Sequence, residues 1–380
     1  MSLSHSSPTP PVEAELLRSS TPATLPTTEL SPETAAPGAP GASSLNPAAP
    51  LGPLGTSATP AVAPWQHQYI ATNDIRLHCV VQGQGPLVIL LHDFLEFWYS
   101  WRYQIPSLAP FFKVVVPDLR GYNDSEKPEQ GYDLETLSRD IKGLIEALGY
   151  QEAIVIGHGW GGTIAWHLAQ RFPQRLRSLV LLASPHPQGF LQDLTGNLDQ
   201  LRRSWYLIAA QLPALPEWLL KQNLSPLVQS LFQNQAVRKG AFSREEAQIY
   251  EAALAKPGVL KAALQYYRYF FSLPQIWRNV STPLEPVKLP TLVLWGDGDT
   301  VFSPVISQGL EKFVQAPLRR VSIRQCGHWL QQEAPQTVNR ELLRFLRSLQ
   351  APLDSALEPA LAPALVPAIA ADPLPLSPPR

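Results

Sequence analysis

The chain has 380 residues, and its 40 prolines crowd toward the two ends. Lysine and arginine (30) nearly balance aspartate and glutamate (31), a net charge of −1 with no basic block, which removes the electrostatic case for nucleic acid. Two cysteines, Cys79 and Cys326, exclude a disulfide framework and suit a reducing, cytoplasmic setting, with Cys326 read as a small core residue.

Residues 1–64 are rich in Pro, Ala, Ser and Thr, and 351–380 in Pro, Ala and Leu. Neither stretch can offset its ordering entropy by burying a core, so both are expected to be disordered tails. Met1 to Ser7 lack a basic stretch followed by an apolar run, so no secretory signal is expected. Pro359, Pro363 and Pro367 interrupt the late Ala/Leu stretch before it reaches about 18 apolar residues, so no membrane span is expected either.

Between the tails the elements follow in order. Trp65 to Ala71 and Ile75 to Val81 alternate like a hairpin around Thr72-Asn73-Asp74. Leu87 to Leu91 is a continuous apolar run, as in a strand covered on both faces, and His92-Asp93-Phe94-Leu95-Glu96 makes a loop. A helical pattern from Trp101 to about Pro110 precedes a buried strand at Lys113 to Val116 and an amphipathic helix from Leu134 to Leu148. Ala153 to Ile156 then reads as a strand that ends in Gly157-His158-Gly159-Trp160-Gly161-Gly162 and passes directly into helical spacing. Gln170 to Leu176 closes that helix, and Ser178 to Ala183 is a further strand.

Residues 184–286 are rich in Leu, Trp, Tyr and Ala at helical spacings, without a convincing strand, and read as an inserted helical cap. The strand–helix rhythm resumes with Thr291 to Trp295, Arg319 to Ile323 and a helix from Pro335 to Leu349. The expected architecture is α/β: eight strands in a mostly parallel sheet with helices on both faces, its core in two pieces, 65–183 and 287–350. Functional residues are then expected in loops at the carboxyl ends of strands.

Three such loops stand out: the Gly-rich turn at Gly159, the loop holding Asp299 and the loop holding His328. A nucleophile position, an acid and a histidine in that order suit a catalytic triad, in which the carboxylate fixes the imidazole tautomer and offsets its charge. Asp299 is preferred over its rival Asp297. The position raised by the sharp turn is Gly159, which carries no side chain.

Together, His92-x-Phe94-x-Glu96-Phe97-Trp98-Tyr99-Ser100-Trp101-Arg102-x-Gln104, Asp118-Leu119-Arg120-Gly121-Tyr122, Gly157-His158-x-Trp160-Gly161-Gly162 and Cys326-Gly327-His328-Trp329 resemble the motifs of the epoxide hydrolases within the α/β-hydrolase superfamily. The resemblance runs from about Trp65 to Leu349, and Phe94 separates it from the related haloalkane dehalogenases, which usually carry Asn there. It implies an α/β-hydrolase fold and a small apolar epoxide or ester held between cap and core. It also implies cap tyrosines at Tyr206 and Tyr267 that hydrogen-bond the epoxide oxygen, and an oxyanion hole from the N–H groups of Phe94 and Trp160. No metal and no cofactor are expected.

In that family an Asp on the sharp turn attacks the epoxide carbon, and a His-activated water hydrolyses the resulting ester. Here that Asp is Gly159, and two further positions depart: the usual Gly after the first motif His is Asp93, and the usual Pro two residues later is Leu95. Loss of the nucleophile impairs the covalent route. The expected remaining route is a water activated by His328 and Asp299 in the space vacated at Gly159. Asp93 is the lesser candidate, as a surrogate nucleophile. The alternative is an inactive protein that binds a small apolar ligand in the retained pocket.

Overall fold

In the computed structural model, which describes residues 65–276 and 285–349, eight strands occupy the expected runs. They are β1 (Gln66–Thr72), β2 (Ile75–Gln82), β3 (Leu87–Leu91), β4 (Lys113–Pro117), β5 (Ala153–His158), β6 (Leu176–Leu182), β7 (Thr291–Gly296) and β8 (Leu318–Ile323). Their order across the sheet is β1-β2-β4-β3-β5-β6-β7-β8. The pairings β1–β2 and β2–β4 are antiparallel and the rest parallel. Every residue of β3, β5 and β7 is buried, which is what apolar runs flanked by helices on both faces require. The edge strands β1 and β8 keep exposed positions. Asn73 and Asp74, at φ 39° and 58°, close the β1–β2 hairpin with the two left-handed residues that a tight hairpin turn favours.

Of the helices, α1 (Leu134–Ala147) is capped by the Asp133 side chain and buries Leu134, Leu137, Ile141, Leu144 and Ile145 along one stripe. α2 (Gly159–Arg171) leaves β5 with no intervening loop. It stops sooner than the apolar spacing predicts: Phe172 lies outside helical geometry and Pro173 opens a short 3-10 turn. The stretch after Trp101 also departs from expectation. It forms a 3-10 turn at Trp98–Trp101 and a single α-turn at Ile105–Leu108, because its apolar residues pack inward without enough consecutive turns to make a helix.

Between β6 and β7 the described residues form helices and turns with no strand. Among these pieces are α3 (Pro187–Gly196), α4 (Leu198–Arg203), α5 (Tyr206–Ala210), α6 (Leu215–Gln222), α7 (Arg244–Leu254) and α8 (Val259–Phe270). α9 (Pro335–Ser348) lies after β8. The end of the expected cap adjoins residues 277–284, and these, like the expected tails at 1–64 and 351–380, lie outside the described residues. Among the described residues no helix is long and apolar enough to cross a membrane. Cys79 and Cys326 are both buried and unpaired, as small core residues would be.

Candidate active site

Register explains why three loops meet. β3 and β5 are parallel neighbours with Leu91 opposite Gly157. Two residues further along each chain stand Asp93 and Gly159, so adjacent strands deliver them to the same spot above the sheet. Gly161 holds the α2 turn against the end of β3: a Cβ there would lie 2.4 Å from the Leu91 carbonyl oxygen, closer than any side chain tolerates. Gly159 itself has φ +49°, in the left-handed region.

The space over Gly159 is filled. A Cβ on Gly159 would come within 2.0 Å of Asp93 Cγ and 2.1 and 2.3 Å of its two carboxylate oxygens. The expectation of a vacated space able to receive a water is therefore corrected: the Asp93 carboxylate occupies it. The Trp160 N–H donates to Asp93 Oδ1 at 2.6 Å, and His328 Nε2 stands 2.9 Å from Asp93 Oδ2. On the other side of the ring, His328 Nδ1 is 3.1 Å from Asp299 Oδ2, while Asp299 Oδ1 accepts the N–H groups of Val301 and Phe302. Asp299 is buried and reaches the imidazole, whereas its rival Asp297 is exposed.

Charge follows from this geometry. Ionised carboxylates only accept, so an imidazole facing one from each nitrogen must carry both protons. Burial alone would lower the His328 pKa, but Asp299 and Asp93 outweigh it and raise it to about 10. For Asp93, burial opposes ionisation, yet the His328 hydrogen bond, the positive fields of His158 and His328 and the Trp160 N–H hold the carboxyl below its usual range.

A second tier supports the first, and sequence reasoning assigned it no role although Glu96, His92 and His158 lie in the motifs. Glu96 Oε2 accepts the Asp93 N–H at 3.1 Å and lies 3.0 Å from His158 Nδ1. The other nitrogen of His158, Nε2, donates to the His328 carbonyl at 3.0 Å. Gln332 donates to Glu96 Oε1 at 2.9 Å. The Asp93 carbonyl accepts from the Glu96 N–H and lies 2.8 Å from His92 Nδ1, so the backbone of Asp93 is tied at both ends. Asp93, His158 and His328 bring metal-ligand atoms within 4.8 Å of one another. Those atoms are already spent on hydrogen bonds among themselves and with Glu96, Asp299 and the His328 carbonyl, a donor set suited to ion pairing more than to a cation.

Above Gly159 lies a pocket walled by Trp160, Tyr206, Tyr267, Phe270, Phe271 and Phe302. The space left among them is about 30 Å³, on the scale of one water molecule. Tyr206 and Tyr267 both line it, their rings 5.6 Å apart and nearly perpendicular, and burial raises both phenol pKa values. The Phe94 ring stands edge-on to Tyr267 at 4.8 Å. Of the two N–H groups expected as an oxyanion hole, that of Trp160 is engaged by the Asp93 carboxylate.

Comparison with known proteins places this geometry among relatives. A family model described as the α/β hydrolase fold matches residues 86–335. The chain is 35% identical over 292 residues to epoxide hydrolase 4 of Homo sapiens, covering 74% of this chain and 79% of that protein. It is 36% identical over 293 residues to epoxide hydrolase 3 of Xenopus tropicalis, covering 74% and 78%. Among solved structures, a Bacillus megaterium epoxide hydrolase bound to an inhibitor aligns with a TM-score of 0.68 at 32% identity, over 74% of this chain and 100% of the other. A Vigna radiata epoxide hydrolase aligns at 0.67 with 28% identity, over 75% and 98%.

Proposed function

The chain belongs to the epoxide hydrolase-like α/β-hydrolases, and from that premise we propose that it is an active hydrolase opening a small, largely apolar epoxide, or cleaving a comparable ester, in the pocket above Gly159. One observation carries this reading: the position without a side chain at the sharp turn is filled by the carboxylate of Asp93, paired with His328 and through it with Asp299. A pocket kept only for binding has no use for two carboxylates and an imidazolium buried beside Gly159, because such charges are costly to bury. Tyr206 and Tyr267 are the groups proposed to hold the epoxide oxygen, since a phenol stabilises a developing alkoxide without carrying charge beforehand. The aromatic walls suit an apolar substrate body.

The water route expected from sequence loses support on two counts. Asp93 takes the place of the water, and His328 with a pKa raised to about 10 is already protonated at neutral pH, so it cannot begin as a base.

The test is direct. Purified protein is incubated with styrene oxide and with a straight-chain aliphatic epoxide, and diol is followed by chromatography beside His328→Gln. Diol from the wild type that falls at least about a hundredfold in His328→Gln is the expected result. Binding of the epoxide with no diol formed would move the assignment to a ligand-binding protein.

A further inference from the structure

We infer that the covalent nucleophile of this protein is Asp93, a carboxylate transposed from the start of α2 to the loop after β3, with Gly159 as its obligatory partner. The inference rests on the hydrolase reading above and names the atom that attacks.

Three observations converge. The Asp93 carboxylate where it stands leaves no room for a side chain at position 159, since a Cβ there would lie 2.0 to 2.3 Å from all three of its carboxylate atoms and would displace it. The carboxylate is oriented as a nucleophile needs to be. Oδ1 sits on the N–H of the residue that follows the turn position, Trp160, at 2.6 Å, and Oδ2 points at the imidazole, while the side chain keeps 12% of its surface exposed. The loop that carries it has a left-handed residue two positions on: Leu95 has φ +58°, a value that a proline ring, fixed near −65°, cannot adopt. Asp93 and Gly159 therefore form one exchange between facing positions, and neither is an isolated loss.

The chemistry balances with the groups present. Asp93 Oδ2 attacks a ring carbon, the ring C–O bond breaks, and its electron pair goes to the epoxide oxygen between Tyr206 and Tyr267. That oxygen receives the proton that His328 no longer holds once the Asp93 charge is consumed. The products of this step are an Asp93 ester, a hydroxyl group and a neutral imidazole. Neutral His328 then takes a proton from water, and the hydroxide attacks Asp93 Cγ while the Trp160 N–H holds the negative charge on Oδ1. Collapse breaks the bond between Cγ and the alkyl oxygen, the diol leaves with a proton, and Asp93 returns as a carboxylate beside protonated His328. One oxygen from water stays on Asp93, and none enters the diol in the first turnover.

The decisive experiment is a single turnover of styrene oxide with excess wild-type protein in ¹⁸O-labelled water, followed by mass spectrometry of both the diol and the peptide containing Asp93. Label in the Asp93 peptide and an unlabelled diol are expected. Diol that itself carries the label would overturn the nucleophile assignment while leaving the hydrolase reading intact, and absence of diol would remove both. Variants give a second reading. Asp93→Asn and Gly159→Ala should each lower turnover at least about a hundredfold, the first by removing the attacking oxygen and the second by pushing it aside. The paired variant Asp93→Gly with Gly159→Asp should recover turnover that Asp93→Gly alone lacks, with the ¹⁸O then on position 159. A paired variant that stays folded by circular dichroism and remains as inactive as Asp93→Gly would contradict the exchange.

Discussion

His328 draws its charge state from geometry before any titration is considered: carboxylate oxygens stand 2.9 and 3.1 Å from its two nitrogens. The sign of the pH dependence follows. His328 has its folded pKa raised from 6.5 to about 10, so the folded state holds a proton that the unfolded state releases across that interval. Its contribution to stability is complete below pH 6.5 and is lost as pH rises through about 10. Asp93, held below its ordinary 3.8, contributes above that value and loses its share as pH falls through its depressed folded pKa. Urea unfolding measured from pH 6 to pH 10 should therefore show wild-type stability falling with pH and the fall flattened in His328→Gln, and equal slopes in the two proteins would contradict the ion triad. At this scale the sequence names the residues and only hints at the contact, with Asp93 as a lesser candidate for the space over Gly159. Asp299 and His328 were legible from their loops, and Gly159 from its turn. That Asp93 fills the gap depends on the register Leu91 opposite Gly157 and on a left-handed Leu95, neither of which any residue pattern states.

α7 shows how one element fastens the helical segment to the loops that follow β3 and β8. Ser243 and Glu246 form a reciprocal capping box at its start, and the same Glu246 reaches Arg102 at 2.6 Å, in a pair where Arg102 is 6% and Glu246 17% exposed. Further along, the Tyr250 hydroxyl lies 3.0 Å from Ser100 Oγ and accepts from Gln332 at 3.2 Å. Glu246→Ala removes the reciprocal half of the capping box, the bond from the Ser243 N–H, and the partner of a nearly buried guanidinium, and should cost about 3 kcal/mol in urea unfolding. Glu246→Gln keeps the reach to the Ser243 N–H and removes only the charge, for about 2 kcal/mol. Losses below about 0.5 kcal/mol in both would show the pair to be solvent-screened. The sheet strands were legible because unbroken apolar runs such as Leu87 to Leu91 have few alternatives. The helices of 184–276 were legible only as a helical region, because short pieces such as α4 and α5 are set by what they pack against, with little intrinsic preference of their own.

Above Gly159 the pocket leaves about 30 Å³, room for water and too little for an epoxide with an aryl or alkyl body as the side chains stand. Turnover therefore demands that part of the helical layer move, and packing indicates which part. α4 to α6 expose Leu198, Trp205, Ile208 and Trp218 at 72, 69, 73 and 58%, and within α4 and α5 only Gln200, Leu207 and Ala210 are buried. α4 is tied to the loop after β7 by Arg203, which donates to the Asp299 carbonyl at 3.0 Å, and by Gln200, which donates to the Val301 carbonyl and accepts the Ser303 N–H, while Arg268 of α8 holds the Ala210 and Leu212 carbonyls and Glu217. Little apolar burial means a low free energy of local opening, whereas β5 and β6, with almost every residue buried, open only when the whole domain unfolds. Native-state hydrogen exchange should accordingly show amides of α4 to α6 exchanging at least about a hundredfold faster than those of β5 and β6. Exchange in α4 to α6 should slow when the product diol is added in excess, because the diol holds the moving layer in one position. Uniformly slow exchange in α4 to α6 would mean that the pocket stays at the size of a water, and an epoxide substrate would then have no way in.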